Sequence, residues 1–206
     1  TYADWWVDSE RRIHVIGKGI LRFHAIYWPA MLLSAGLPLP TDIYVHDYVT
    51  ANGRKLGKSS GNAIDPFDVA ETYGSDALRW WLISRVPKVG DTDFTIDRLL
   101  EASNRDLAGG IGNLVQRVTS MVVRYRDGVV PVPRDADRAA AESEALTSGL
   151  PTRIDDALAD FDLRSAAAAV NDAVAAANRY VEDTAPWALA RAERAGADTE
   201  ALDVAL

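Results

Sequence analysis

Ile13-His14-Val15-Ile16-Gly17-Lys18 begins as a β-branched run and stops on glycine, and its reading decides the architecture of the first half of the chain. Branched side chains suit a pleated, half-buried surface, so the run predicts a buried strand whose end at Gly17 lets a ligand approach the backbone. Downstream, Phe23, Ile26, Tyr27 and Met31 fall at helical spacing across residues 20–35, and Pro29 is expected to kink or divide that helix. Gly36, Pro38 and Pro40 end it. Residues 43–49 then alternate Ile43, Val45 and Asp47 with Tyr44, His46 and Tyr48, the period of a second strand. Strand, helix and strand make a βαβ unit and imply a parallel sheet.

Beyond this unit, residues 51–62 carry three glycines, two asparagines and two serines and read as a loop. Asp65 and Pro66 open a helix to about Tyr73, closed by Gly74, and Ser75 caps another that contains Leu78, Trp81, Leu82 and Ile83. Residues 87–95 are the expected junction. Helical spacing is then continuous: about 97–126, 135–161 with a break near Gly149-Leu150-Pro151, 164–182, and a last segment from Pro186. The predicted fold is therefore α/β followed by all-α, the second part packing as an antiparallel helix bundle. Domain bounds are placed at 1–86, a junction at 87–97, and 98–206.

Composition supports two differently built regions. Of 206 residues, 48 % are hydrophobic and 25 % charged, an ordinary globular balance that excludes disordered and fibrous classes. The first hundred residues hold 13 of the 17 aromatic side chains, whereas 25 of the 33 alanines come later. The net charge of −8 argues against a general nucleic-acid coat, and almost all of it belongs to the second half. With no cysteine, no membrane-length apolar run and no leader-like start, the expectation is a soluble cytoplasmic protein without thiolate metal sites.

Only four lysines occur, and Lys55 and Lys58 share one glycine-serine loop. The loop reads either as a solvated surface loop or as a phosphate site, in which flexible ammonium groups and accessible backbone N–H groups follow an oxyanion. Trp5, Trp6, Trp80 and Trp81 read as core or interface packing.

These residues resemble the class I aminoacyl-tRNA synthetases, and among them the methionyl subgroup. Lys55-Leu56-Gly57-Lys58-Ser59 is similar to the Lys-Met-Ser-Lys-Ser signature, followed by Gly61-Asn62. The subgroup resemblance rests on the stretches 14–18, 23–30 and 73–79, on the His46 strand, on 112–117, and on 178–187, so it covers nearly the whole chain. It implies a ligase with the second half of a Rossmann-like nucleotide-binding domain and the start of an anticodon-binding domain. The implied reaction joins methionine to ATP, giving methionyl-adenylate and pyrophosphate, and then transfers the methionyl group to the methionine tRNA.

By the same resemblance, Lys55, Lys58 and Ser59 are the catalytic residues, and Gly17 joins the two lysines in holding ATP, whose phosphates carry Mg2+ without a protein metal cage. Phe23, His24 and Trp28 match the methionine pocket; an aromatic wall suits a thioether. Read from residue type alone, they are equally a core pair and a half-buried imidazole. Asn113, Arg117 and Trp187 match anticodon readers, by base-edge hydrogen bonds and stacking. Their plainer reading is two polar helix-surface residues and a bundle-core tryptophan.

Five departures accompany the match. No segment resembles the family's His-Ile-Gly-His signature, so half of the ATP site is expected from elsewhere: the chain is a fragment, the partner of a separate amino-terminal half, or a non-catalytic tRNA-binding or interaction module descended from a synthetase. The end at Leu206 is expected to leave an apolar seam. Gly19 stands where the family usually has Asp, and Asp47 where glycine is usual. Gly57 replaces the middle serine of the pentad.

Overall fold

A computed structural model describes residues 1–51, 53–57 and 63–206. It is mixed α/β and mostly helical, as the sequence predicts. The first strand, β1 (Ile13–Gly17), pairs in parallel with β2 (Asp42–His46), Ile13 opposite Asp42 and Gly17 opposite His46. The connecting segment stays helical through the proline: a π-helical turn, Phe23–Tyr27, runs directly into α1 (Trp28–Ser34), with Tyr27 and Trp28 both at helical dihedrals and Pro29 following. Pro29 is therefore interior to one continuous helical run, where its missing N–H removes a helical bond, and the wider π-helical turn lies just before it.

Two short elements correct the sequence reading. The expected second strand breaks after His46, because Asp47 Oδ2 accepts from the Gly90 amide at 2.5 Å and Asp91 Oδ1 accepts from the Tyr48 amide at 2.9 Å. The stretch read as a loop from residue 51 begins instead as a hairpin: β3 (Val49–Ala51) pairs antiparallel with β4 (Arg54–Lys55), turning through Gly53 at φ +69°. β3 also pairs in parallel with β5 (Thr92–Phe94), inside the expected junction. Asp93 Oδ1 ties this sheet together, accepting from the Gly53 amide at 2.7 Å and the Thr50 hydroxyl at 2.9 Å.

The helices are α2 (Pro66–Tyr73), α3 (Ser75–Arg85), α4 (Ile96–Ala102), α5 (Asn113–Arg126), α6 (Ala136–Thr147), α7 (Leu150–Ala159), α8 (Leu163–Thr184), α9 (Pro186–Arg194) and α10 (Glu200–Ala205). A ten-residue π-helical stretch, Ser103–Gly112, separates α4 from α5 within what reads as one helix on sequence. The wider turn brings each residue over the carbonyl five positions back, and a Cβ on Gly112 would lie 2.8 Å from the Leu107 oxygen. Glycine there is a steric requirement.

The chain forms two compact units, Thr1–Asp65 with Arg85–Thr95, and Pro66–Ser84 with Ile96–Leu206. This departs from the sequence boundary. The helices of Pro66–Ser84 belong with the later helices, while β5 returns to the first unit as a strand of its sheet. In the helical unit α8 packs on α5, α6, α7 and the π-helical stretch. Its alanines at 166, 167 and 169 are buried, small side chains that permit close approach. The Arg126 guanidinium fastens α5 to α9 and α10, pairing with Glu193 at 3.0 Å and Asp203 at 2.6 Å. No helix among the described residues is long and apolar enough to cross a membrane.

One side-chain pair here makes a pH prediction. Tyr180 Oη on α8 donates to Glu142 Oε2 on α6 at 2.5 Å. Burial, then the Glu142 carboxylate, push the phenol up to about 12, while the same hydrogen bond, with Arg138, holds the carboxyl below its usual range. A raised phenol pKa contributes stability below the free value near 10 that is lost as pH climbs toward 12. A lowered carboxyl contributes stability above its free value that is lost as pH falls through the folded one. Thermal melts should therefore show the helical unit losing stability on both flanks, and Tyr180→Phe should flatten the alkaline flank. An unchanged alkaline slope in that variant would count against the pair.

Candidate functional site

Each unit gathers candidate residues of its own. In the first, β1 puts His14 on the same face as buried Ile16, and the π-helical turn followed by α1 brings His24 and Trp28 to it. The His14 and Trp28 rings lie 4.6 Å apart, and His24 and Trp28 6.2 Å apart at a steep angle. Trp6 completes the cluster, 5.4 Å from Trp28 and 5.5 Å from His14. Its indole N–H donates to the Pro38 carbonyl at 3.1 Å, and Arg12 Nη1 donates to the Trp6 carbonyl at 3.1 Å. His24 Nδ1 lies 3.1 Å from the Ile20 carbonyl, which can only accept, so Nδ1 is the donor of that bond. Burial in the cluster, and then the charge of His24, hold His14 below the ordinary histidine range.

Two of the three residues assigned to an amino-acid pocket thus meet, and the third does not. Phe23 turns away, 60 % exposed and edge-on to Tyr27 at 5.5 Å. A π-helical turn separates the directions of successive residues here, and Phe23 falls on the other face. Conversely, His14 and Trp6 belong to the cluster. Trp6, read as core or interface packing, is half-buried, and Trp5, read likewise, is 82 % exposed and so not in the core.

Beside this cluster, at the ends of β1 and β2, sits an ionic frame. The Lys18 ammonium reaches Asp91 at 2.5 Å and Asp47 at 2.9 Å. The hydrogen bonds that Lys18 donates to Asp91 and then Asp47 raise its pKa. Asp47 is held low by the Gly90 amide and then Lys18, Asp91 by Lys18 and then the Tyr48 amide. Lys55, on β4, places its ammonium 4.2 Å from the centre of the Tyr48 ring. Gly17 pairs with His46, and a Cβ on it would touch the His46 ring at an ordinary 3.6 Å. Internal packing therefore does not require glycine at 17. Lys58 and Ser59, the other residues assigned to catalysis, lie outside the described residues.

In the helical unit, Asn113, Arg117 and Trp187 line one groove of about 370 Å³ with Gln116, Ser120 and Met121. The π-helical stretch ends at Gly112, so Asn113 starts α5 and Arg117 follows one turn later on the same face. Trp187 arrives through a one-residue connection: Ala185, at φ +44°, ends α8 and starts α9, and buried Pro186 fixes the first turn. A non-glycine residue in that left-handed conformation costs about 1–3 kcal/mol and persists where surrounding packing enforces it. Trp187 keeps 40 % exposure, so its ring is available for stacking and is not a core residue. Arg117 is steered by Glu182 Oε1 at 2.5 Å. Among the described residues no three His, Asp or Glu side chains converge as a metal site.

Known proteins resemble this arrangement. The family described as tRNA synthetases class I (M) matches residues 1–119. The methionine--tRNA ligase of a Nostoc species is 39 % identical over 191 residues, covering 92 % of this chain and 36 % of that protein. The ligase of the same name from a Synechocystis species is 40 % identical over 186 residues, covering 90 % and 34 %. Among solved structures, Mycobacterium tuberculosis methionyl-tRNA synthetase in complex with methionyl-adenylate superposes with a TM-score of 0.84 at 36 % identity, covering 97 % of this chain and 40 % of that one. The chain spans little more than a third of the length of the relatives it matches.

Proposed function

The chain belongs to the class I tRNA synthetases of the methionine type, and from that membership we propose that it takes part in methionine--tRNA ligation. Methionine and ATP form methionyl-adenylate and pyrophosphate, and the methionyl group then passes to the methionine tRNA. In this reading β1, α1 and β2 are the second half of a Rossmann-like domain, and the helical unit is an antiparallel anticodon-binding bundle. Lys55, Lys58 and Ser59 meet the triphosphate, with its Mg2+ as part of the substrate, and Gly17 leaves room for the adenosine. His24 and Trp28 contact methionine, whose polarizable sulfur gains about 0.3–1.5 kcal/mol from an aromatic neighbour.

The observation that carries the proposal is the helical groove. Asn113, Arg117 and Trp187 come from distant parts of the sequence and from two helices, yet line one cavity, with a stacking ring beside hydrogen-bonding groups. That combination suits an unstacked base of a single-stranded RNA loop. An acidic protein can read RNA this way, because base contacts supply specificity while a few local cations meet phosphates.

Trp187→Ala should lower affinity for the anticodon stem-loop of methionine tRNA about tenfold to a hundredfold, and Trp187→Phe should keep most of it, since stacking on an aromatic ring contributes about 1–3 kcal/mol per base. Fluorescence titration with the isolated stem-loop checks this. The catalytic part is tested by methionine-dependent ATP–pyrophosphate exchange, using the chain alone and supplemented with the amino-terminal portion of the Nostoc relative. Exchange specific for methionine in either mixture is expected. Stem-loop binding with no exchange in both would replace the ligase by a non-catalytic tRNA-binding module.

A further inference from the structure

We propose that Tyr48 is a positioning residue for the Lys55 ammonium, and that Gly19, Lys18, Asp47 and Asp91 form the seat that holds its ring. The proposal deepens the function given above and rests on it for the use of Lys55 on a triphosphate. Three independent contacts define the seat. The Tyr48 amide donates to Asp91 Oδ1 at 2.9 Å, the Lys18 ammonium lies 4.8 Å from the ring centre, and the phenol oxygen occupies the space beside Gly19. A Cβ on residue 19 would come within 2.5 Å of that oxygen, closer than any real contact, so the ring keeps this position only with glycine there.

The charge arrangement gives the ring its purpose. Two ammonium groups approach one aromatic ring, Lys18 at 4.8 Å and Lys55 at 4.2 Å. The positive charge of Lys18 is matched by Asp47 and Asp91, which reduces its repulsion of Lys55. A ring face attracts a cation without cancelling its charge, whereas a carboxylate cancels it. Tyr48 can therefore restrict a four-bond flexible side chain, narrowing the volume in which its ammonium meets an incoming phosphate. The two departures at 19 and 47 become parts of one arrangement: the missing side chain makes room for the phenol, and the added carboxylate steadies the lysine beside it.

Reductive methylation with ¹³C-formaldehyde, which keeps each lysine charged, gives the chain's four lysines separate NMR signals. Lys18→Arg and Lys55→Arg assign two of them. The Lys55 methyl signal is expected upfield of its position in Tyr48→Leu, because the ring current is lost there, and unmoved in Tyr48→Phe. Gly19→Ala should displace the ring and move the signal toward the Tyr48→Leu position, and Gly19→Ala combined with Tyr48→Phe should restore it. A merely structural tyrosine would not produce that rescue. If Tyr48→Leu fails to fold, the Gly19→Ala pair still decides. A Lys55 signal that ignores Gly19→Ala, or that ignores Tyr48→Leu in a folded chain, overturns the proposal. ATP added to wild type should shift the Lys55 signal further. A ring-current shift without any ATP response leaves Tyr48 as the seat of Lys55 and overturns the triphosphate reading instead.

Discussion

Lys55→Ala and Lys58→Ala should each lower methionine-dependent ATP–pyrophosphate exchange by about a hundredfold or more in the exchange-competent mixture, with the circular dichroism spectrum unchanged. Attack of the methionine carboxylate on the α-phosphorus builds charge on the phosphate oxygens before pyrophosphate leaves. A cation already placed where that charge develops lowers the barrier without reorganising, and removing one such group typically costs about 2.7–4 kcal/mol. Two ammonium groups within one short glycine- and serine-rich stretch of sequence suit this, because side-chain cations can follow an oxyanion whose geometry changes during the reaction. Lys55→Arg should recover only part of the rate: guanidinium keeps the charge but presents a planar fork where the reaction uses a compact ammonium. Near-wild-type exchange in both alanine variants would remove the loop from the chemistry and leave it as a solvated surface segment. Both residues are exposed or loop-borne by sequence, so a loss of rate accompanied by unfolding would be a surprise and is checked by the same spectra.

The first strand, the helix after it and the second strand are legible in sequence because each depends on a local pattern: a β-branched run, apolar residues at helical spacing, a period of two. Pro66 and Gly74 mark the ends of α2 for equally local reasons, a preset φ and a left-handed closing turn at φ +92°. β3, β4 and β5 are different. They are two or three residues long, too short for alternation, and what holds them is Asp93 reaching Thr50 and Gly53 some forty positions away. Asn52-Gly53 is the dipeptide favoured in two-residue hairpins, so one local signal of that turn was present in the sequence. The candidate sites divide the same way. Asn113, Arg117 and Trp187 follow from ordered motifs, and His24 and Trp28 from an i, i+4 spacing that a π-helical turn only loosens. Trp6, His14 and Tyr48 enter through tertiary packing, the last through the absence of a side chain at Gly19, which no periodicity records.

The tryptophans of the helical unit separate packing from recognition, and Trp81→Ala is the second large effect. Trp81 is 1 % exposed on α3, in the unit whose core also holds Leu99 at 0 %. Deleting a buried indole loses its transfer free energy and leaves a cavity that close-packed neighbours fill only partly, a cost of about 3–5 kcal/mol. Against a total stability of about 5–15 kcal/mol for a domain, that removes a large share, so the urea midpoint of the helical unit should fall steeply with little change in slope. Trp80→Phe should cost less: its indole is half-buried and donates to Asp106 at 2.9 Å, and Asp106 keeps Arg105 as a partner at 2.9 Å. Trp187→Ala should cost about 1 kcal/mol or less, since its ring is 40 % exposed in the groove, while stem-loop affinity falls. Loss of folding without change in the binding surface for one tryptophan, and the reverse for the other, is the pattern expected if Trp187 is held outward for a base. A Trp187→Ala variant as unstable as Trp81→Ala would return Trp187 to the core and take the stacking role with it.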